Sequence, residues 1–270
     1  MAGLALVTGA SSGIGRACVA HLAGLGYTVL AGVRRGADAP PFARVEPLRL
    51  DVTSDADIAN AAERVGAELD VLVNNAGIAV NGPVELVPVE EWRTQLEVNL
   101  LGQVAVTQAL LPAILRARGY VINMSSIGGR VAGPLFGPYA ASKFGLEAMT
   151  DSLRREVAQH GVLVVSVEPG GIATPIWKKG LERADAVIAD MPEDARRRYG
   201  GVIAAVRREA ERQSREGLPP EAVAEVVGRA LTARRPRTRY VVGRQARLQA
   251  RLARTLPDRT YDALIARRFT

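Results

Sequence analysis

Cysteine is almost absent from this chain: Cys18 is the only one in 270 residues. An intrachain disulfide is therefore excluded, and the chain fits a reducing compartment, so a cytoplasmic protein is expected. Histidine is scarce too. His21 and His160 lie far apart, no His/Cys cluster accompanies them, and no metal centre is expected. Aromatic residues amount to 4%, too few among the C-terminal arginines to stack bases. A long apolar segment is also lacking. The longest uncharged run, Val98 to Leu115, reaches 18 residues but contains Asn99, Gln103, Gln108 and Pro112. A buried helix is expected there, with no integral membrane association. No secretory signal is visible, because the chain passes almost at once into Leu4-Ala5-Leu6-Val7 and then glycines.

Hydrophobic residues make up 48% of the chain, enough for the core of one large α/β domain or two small ones. The formal charge of +7 is unevenly placed. Residues 1–174 carry 13 basic and 16 acidic side chains, and residues 175–270 carry 22 and 12. Such a bias suits an anionic partner or a solvated arginine-rich face. The second reading is adopted, and no nucleic acid is expected.

Leu4–Thr8 reads as a buried strand, and the glycine-rich stretch Gly9-Ala10-Ser11-Ser12-Gly13-Ile14-Gly15 leads into a helix over Arg16–Leu25. Strand, glycine turn and helix together form a pyrophosphate cradle, with the unpaired N–H groups and positive dipole end of the helix facing the phosphates. Gly9 permits the tight turn, Gly13 the close approach of backbone to ligand, and Gly15 the packing of helix on strand. A second strand, Thr28–Val33, ends in Arg34-Arg35. A carboxylate at that place would bind the ribose 2′-hydroxyl of NAD, whereas an arginine favours the 2′-phosphate of NADP(H). Val45–Leu50 gives a third strand followed by Asp51-Val52-Thr53, where Asp51 either accepts from an adenine amino group or caps the helix beginning near Ser54. Asp70–Asn74 runs into Asn75-Ala76-Gly77, small residues beside which a ribose could lie. Asn99 falls within a long helical stretch, Glu90–Leu115, where asparagine is intrinsically unfavourable, so a specific polar role is expected.

Tyr120–Met124 is a fifth strand with Ser125 and Ser126 at its carboxyl end, the side on which ligands bind in open parallel sheets. Tyr139 and Lys143 follow on a helix, four apart and hence one turn apart on one face. A free phenol, with a pKa near ~10, is a poor base at neutral pH. An ammonium nearby favours the phenolate, so the tyrosine can exchange a proton with an alcohol or a carbonyl. Val162–Val167 is a sixth strand leading to Pro169-Gly170-Gly171-Ile172-Ala173-Thr174. Beyond it, Pro175 to Leu218 is charged and helical, the length of a lid. Glu221–Leu231 is a helix, Arg239–Val242 a last strand, and Arg244–Leu256 a basic amphipathic helix with Leu248, Leu252 and Leu256 at four-residue spacing.

Thr8-Gly-Ala-Ser-Ser-Gly-Ile-Gly15, Asn74-Asn-Ala-Gly77, Asn99, Ser126, Tyr139-x-x-x-Lys143 and Pro169-Gly170 through Thr174 together resemble the short-chain dehydrogenase/reductase family. The likeness covers roughly residues 3–175. Gly129-Arg-Val-Ala, the stretch Phe144 to Glu156 and Val167-Glu-Pro-Gly170 are similar to the retinol and hydroxysteroid dehydrogenase branch. The resemblance implies one doubly wound Rossmann-type α/β domain with seven parallel strands ordered 3-2-1-4-5-6-7. It implies a cofactor core over about 3–175, a substrate lid over about 175–218 and a C-terminal helix, strand and basic helix over about 219–270. It also implies hydride transfer between a nicotinamide cofactor and a lipophilic secondary alcohol or ketone. Tyr139 would be the general acid/base, Lys143 would lower its pKa and hold the nicotinamide ribose, Ser126 would bond the substrate oxygen, and Asn99 would hold a relay water. Ile172 and Thr174 would bind the carboxamide and phosphate side of the cofactor. A homo-dimer or homo-tetramer packed through the helices of Asn99 and Tyr139 is implied as well. NADP is the favoured cofactor and NAD the alternative. Many NADP-preferring members carry a basic residue at the position of Ser12, so Arg34, with or without Arg35, bears that preference here. A cofactor-sensing binding protein is the competing class, disfavoured because Asn99, Ser126, Tyr139 and Lys143 are all present.

Overall fold

The computed structural model describes residues 3–269. Seven strands, β1 (Leu4–Thr8), β2 (Thr28–Val33), β3 (Val45–Arg49), β4 (Val71–Asn74), β5 (Tyr120–Met124), β6 (Leu163–Pro169) and β7 (Arg239–Val242), form one sheet in the order β3-β2-β1-β4-β5-β6-β7. Every pairing is parallel, as in Leu6 opposite Leu30 and Leu72, and Ile122 opposite Val165. Both faces are covered by helices, which is why strands such as LALVT and VLVN are apolar throughout instead of alternating. On one face α1 (Gly13–Gly24) and α8 (Glu221–Thr232) close over Val7, Val29, Val73 and Val165. On the other, α2 (Asp55–Val65), α4 (Gly102–Ala117) and α5 (Gly137–Val157) close over Leu6, Leu30, Leu72 and Val121. The winding reverses between β1 and β4, so the crevice outside the carboxyl ends of these two strands is the place for a ligand.

The long helical stretch is interrupted. α3 (Val89–Leu96) passes through a π-turn at Glu97–Leu101 before α4 begins. The uncharged run of 18 residues lies in this segment, and Val106, Leu110 and Ile114 bury its apolar side in the core. By length and composition alone Val89–Ala117 is apolar enough to cross a membrane. Ser54 itself caps α2, accepting from the Asp57 N–H at 3.2 Å, so the capping role open to Asp51 falls to its neighbour.

Beyond β6 come α6 (Ile176–Ala189) and α7 (Glu193–Glu216), helical and strand-free as expected. They are latched to the body by Glu85, which accepts from Arg198 and from the Tyr199 hydroxyl, each at 2.6 Å, and by Arg183 to Glu91 at 3.2 Å. The C-terminal segment has the expected basic helix and one helix more than expected. In α9 (Arg244–Thr255) the residue that faces the fold is Ala246, and Leu248 is 57% exposed. A small side chain is needed where α9 crosses Gly170, while Leu252 and Leu256 are half-buried. A further helix, α10 (Asp258–Phe269), starts after Pro257, where no helix was expected.

Candidate active site

The site is assembled at the carboxyl ends of β1, β4, β5 and β6. Gly9, just past β1, has φ +65°, and a Cβ there would lie 2.8 Å from the Ala76 Cα. Glycine is required both for the left-handed backbone and for the close approach of two loops. Thr8 fastens those loops: its Oγ1 accepts from the N–H groups of Asn75 and Ala76, each at 2.9 Å. Asn75 Nδ2 returns bonds to the carbonyls of Thr8 at 2.9 Å and Gly9 at 3.2 Å. α1 then opens with its first-turn amides toward the cleft. Ser12, at its N-cap, makes no side-chain capping bond, and no acidic residue sits in the first turn. A ribbon of glycine backbone and an uncompensated helix N-terminus fit a pyrophosphate.

These loops line one cleft of about 980 Å³. Gly9, Ser11, Ser12, Gly13 and Ile14 form its floor, with Asn75, Ala76 and Gly77 alongside. Gly15 does not line it. It sits behind the loop, where a Cβ would press on the Gly9 carbonyl and the Asn75 amide, so its contribution is packing alone. At one end stand Val33, Arg34, Asp51 and Val52. Burial would raise the Asp51 carboxyl, but bonds from the Thr53 N–H at 3.0 Å and hydroxyl at 2.7 Å, with the nearby charge of Arg34, hold it below the usual carboxylate range. Arg35 is engaged elsewhere, bonding Asp38 at 3.0 Å, and of the two neighbours only Arg34 lines the cleft.

At the opposite end Ser126, Tyr139 and Lys143 converge, with Pro169, Gly170, Ile172 and Thr174 closing the wall. The Ser126 hydroxyl accepts from the Gly128 N–H at 3.0 Å and is hydrogen-bonded to the Tyr139 phenol. Lys143 Nζ lies 5.9 Å from the Tyr139 ring centre and donates to the Met124 carbonyl at 2.8 Å. Burial pushes the phenol up, and the Ser126 bond only partly offsets it. The lysine is itself pushed down to about 8 by burial, against the opposing pull of Glu147. The expectation of a tyrosine brought down by its lysine is therefore not met by the protein shell alone: desolvation outweighs the one opposing bond, from Ser126.

Asn99 owes its place to the π-turn. Its Oδ1 accepts from the Ile78 N–H at 2.8 Å, and its Nδ2 donates to the Ile78 carbonyl at 3.0 Å and to the Ser142 hydroxyl at 3.3 Å. Ser142 in turn donates to the Tyr139 carbonyl at 2.7 Å. Gln95, one turn earlier, acts in the same way and was missed in the sequence. It accepts from the Val80 N–H at 2.7 Å and donates to the Ile78 carbonyl at 3.1 Å. A second amide four residues before Asn99 was the available signal. Beyond the catalytic end the cleft widens under the lid, past Phe136, Ile176 and Trp177, whose indole N–H donates to the Ile172 carbonyl at 2.7 Å.

Residues 3–185 match the model of the short chain dehydrogenase family. The chain belongs to the short-chain dehydrogenase/reductase family. It is 38% identical to an NADPH-dependent 3-dehydrocapnine reductase of Ornithobacterium rhinotracheale, over 96% of this chain and 95% of that one. It is equally 38% identical to human retinol dehydrogenase 5, over 96% of this chain and 86% of the relative. A short chain dehydrogenase from Burkholderia cenocepacia, solved in complex with NADP, superposes with a TM-score of 0.77 at 29% identity, covering 99% of this chain and 97% of that one. This short-chain dehydrogenase/reductase is thus an NAD(P)-dependent oxidoreductase related to the retinol dehydrogenase branch, and its substrate is a small alcohol or ketone.

Proposed function

We propose that the protein transfers hydride between NADP(H) and a lipophilic secondary alcohol or ketone. The observation that carries this reading is the meeting of Ser126, Tyr139 and Lys143 at one end of a cleft whose other end holds Arg34. The glycine loop and the first turn of α1 would hold the pyrophosphate, Arg34 the adenosine 2′-phosphate, and Asp51 with Val52 the adenine. Asn75, Ala76 and Gly77 would flank the adenosine ribose. Pro169, Gly170, Ile172 and Thr174 would hold the nicotinamide side. When bound, the nicotinamide supplies or takes the hydride.

The chain's own residues handle orientation and protons. Ser126 donates to the substrate oxygen and stabilises charge developing there. Tyr139 gives its phenolic proton to that oxygen in reduction, or takes it back in oxidation. Lys143 holds the nicotinamide ribose and favours the phenolate once the proton has left. Asn99 keeps the Ile78 segment and α5 in register so that a water can link Lys143 to solvent. The apolar side chains of Phe136, Ile176 and Trp177 support a lipophilic substrate. Leu101 and Phe144, 51% and 44% exposed near the helices of Asn99 and Tyr139, support a dimer or tetramer closed through that face. The single buried thiol suits the cytoplasm.

Replacing Tyr139 with Phe tests the reading. Reduction of lipophilic ketones by NADPH should fall at least about 10²-fold, with NADPH binding nearly unchanged. Turnover retained in Tyr139→Phe would overturn the mechanism. NAD(H) is the second reading, favoured by the exposure of Arg34 and its proximity to the Asp51 carboxylate, which it already partly serves.

A further inference from the structure

Behind the catalytic groups lies an ionic cluster. Glu168, on β6, is fully buried, and Glu147, on α5, is 8% exposed. Arg130, just after the Ser126 turn, grips Glu168 with a two-pronged contact through Nε and through Nη2, the latter at 2.8 Å. Arg239, at the start of β7, donates from Nε to Glu147 at 2.9 Å and from Nη2 to Asp151 at 2.6 Å, and its Nε lies 3.5 Å from Glu168. The Ser166 hydroxyl donates to the other Glu147 oxygen. Both oxygens of Glu147 are thus fixed, one turn along α5 from Lys143.

The Ser126 turn packs on that same length of helix. A Cβ on Gly129 would lie 3.0 Å from the Lys143 carbonyl and 3.1 Å from the Glu147 Cγ. Three segments of the reaction centre therefore meet at Glu147: the turn bearing Ser126, the helix bearing Tyr139 and Lys143, and the strand entering Pro169-Gly170. Arg239 from β7 and Glu168 from β6 face Glu147, with Asp151 and Arg130 as their further partners, and Glu147 is the charged group that acts on Lys143. Tyr139 is the neutral titratable group beside it. None of the contacts of Glu147 reaches the cleft, so it is not a group that touches substrate.

Resting on the oxidoreductase reading above, we propose that Glu147 is a positioning residue of this enzyme: anchored by Arg239 and Ser166, its negative charge holds the Lys143 ammonium beneath the catalytic tyrosine. Arg239 moderates that charge, and the Arg130–Glu168 clamp keeps the Ser126 turn seated on the same helix. The direction in which Glu147 acts on Lys143, against desolvation, agrees with this role.

Composition makes the test direct. The chain contains only three lysines, Lys143, Lys178 and Lys179, and the latter two are exposed on the lid. A sample labelled with ¹³C at the lysine side chain gives few signals, and the one lost in Lys143→Arg is Lys143. Its midpoint can be followed by NMR without any turnover, so this test does not depend on the substrate being known. The wild-type midpoint is expected near about 8. In Glu147→Gln it should fall by roughly one pH unit, and Glu147→Asp should restore most of the shift. In Arg239→Gln, which frees Glu147 from its counter-charge, it should move upward. Opposite displacements in the two variants are not produced by loosened packing. An unmoved midpoint in either folded variant would overturn the proposal, whether or not the enzyme reduces the ketones offered to it.

Discussion

Burial sets the working range of Lys143: the surrounding protein brings its ammonium down from an ordinary value to about 8. The cation is present below that pH and is lost as pH rises through it. If the ammonium is needed beneath the tyrosine, kcat for ketone reduction should fall on the alkaline side with a midpoint near 8. A profile flat to well above that would contradict the role given to Lys143. Ser126 bears the other end of the charge argument. Ser126→Ala removes the partner of the Tyr139 phenol and the donor to the substrate oxygen, and should cost about 10²-fold or more in kcat. Because the Gly128 N–H loses only one short-range acceptor, stability should change by no more than about 1 kcal/mol. Thermal denaturation of the folded variant separates the two effects.

The decisive element is the turn from β1 into α1. Gly15 lies outside the cleft, yet it decides whether the loop can form. In Gly15→Ala the added methyl meets the Gly9 carbonyl, backbone that cannot step aside, and the expected cost is about 1–3 kcal/mol with loss of NADPH binding. Undiminished binding by that variant would show that the loop tolerates a wider gap. Much of this scale was legible in the sequence. Glycines before a helix, apolar strands of about five residues and a Tyr-x-x-x-Lys spacing are local patterns, and each maps onto one element. What could not be read depends on contacts between distant segments. The π-turn at Glu97–Leu101 sets Asn99 to bond Ile78, 21 residues back, and no periodicity within the helix reports that. Gln95 escaped notice for the same reason. The fully buried position of α9, Ala246, is chosen by Gly170 just past β6, which a leucine spacing within the helix does not report. The part left open for Arg35 beside Arg34 could not be decided locally: it bonds Asp38 and does not line the cleft.

Across the whole molecule, the doubly wound sheet buries one thiol. Cys18, on the buried side of α1, is pushed up by burial to about 12 from an ordinary value of 9.0. The folded state therefore holds a proton that the unfolded chain would release. This contribution to stability is fully present below about 9 and is lost as pH rises toward about 12. The half-buried phenols of Tyr27 and Tyr120, raised chiefly by burial, act in the same sense. Melting temperature should accordingly decline from about pH 9 upward. Near neutral pH the native protein should leave its thiol unmodified by a disulfide reagent, and the denatured chain should release one equivalent; rapid reaction of the native form would place Cys18 outside the core.

The central claim is that one cleft joins a proton-handling end to a phosphate-binding end suited to NADP(H). The measurement that tests it most directly is a titration of the purified protein with NADPH and then NADH, followed by energy transfer from Trp92 and Trp177, the latter on the cleft wall. The account predicts tighter NADPH binding, with the preference lost in Arg34→Asp through a drop of about 10–100-fold, the worth of a charge-assisted contact. Equal or tighter NADH binding by the wild type, or an undiminished NADPH preference in Arg34→Asp, would contradict it.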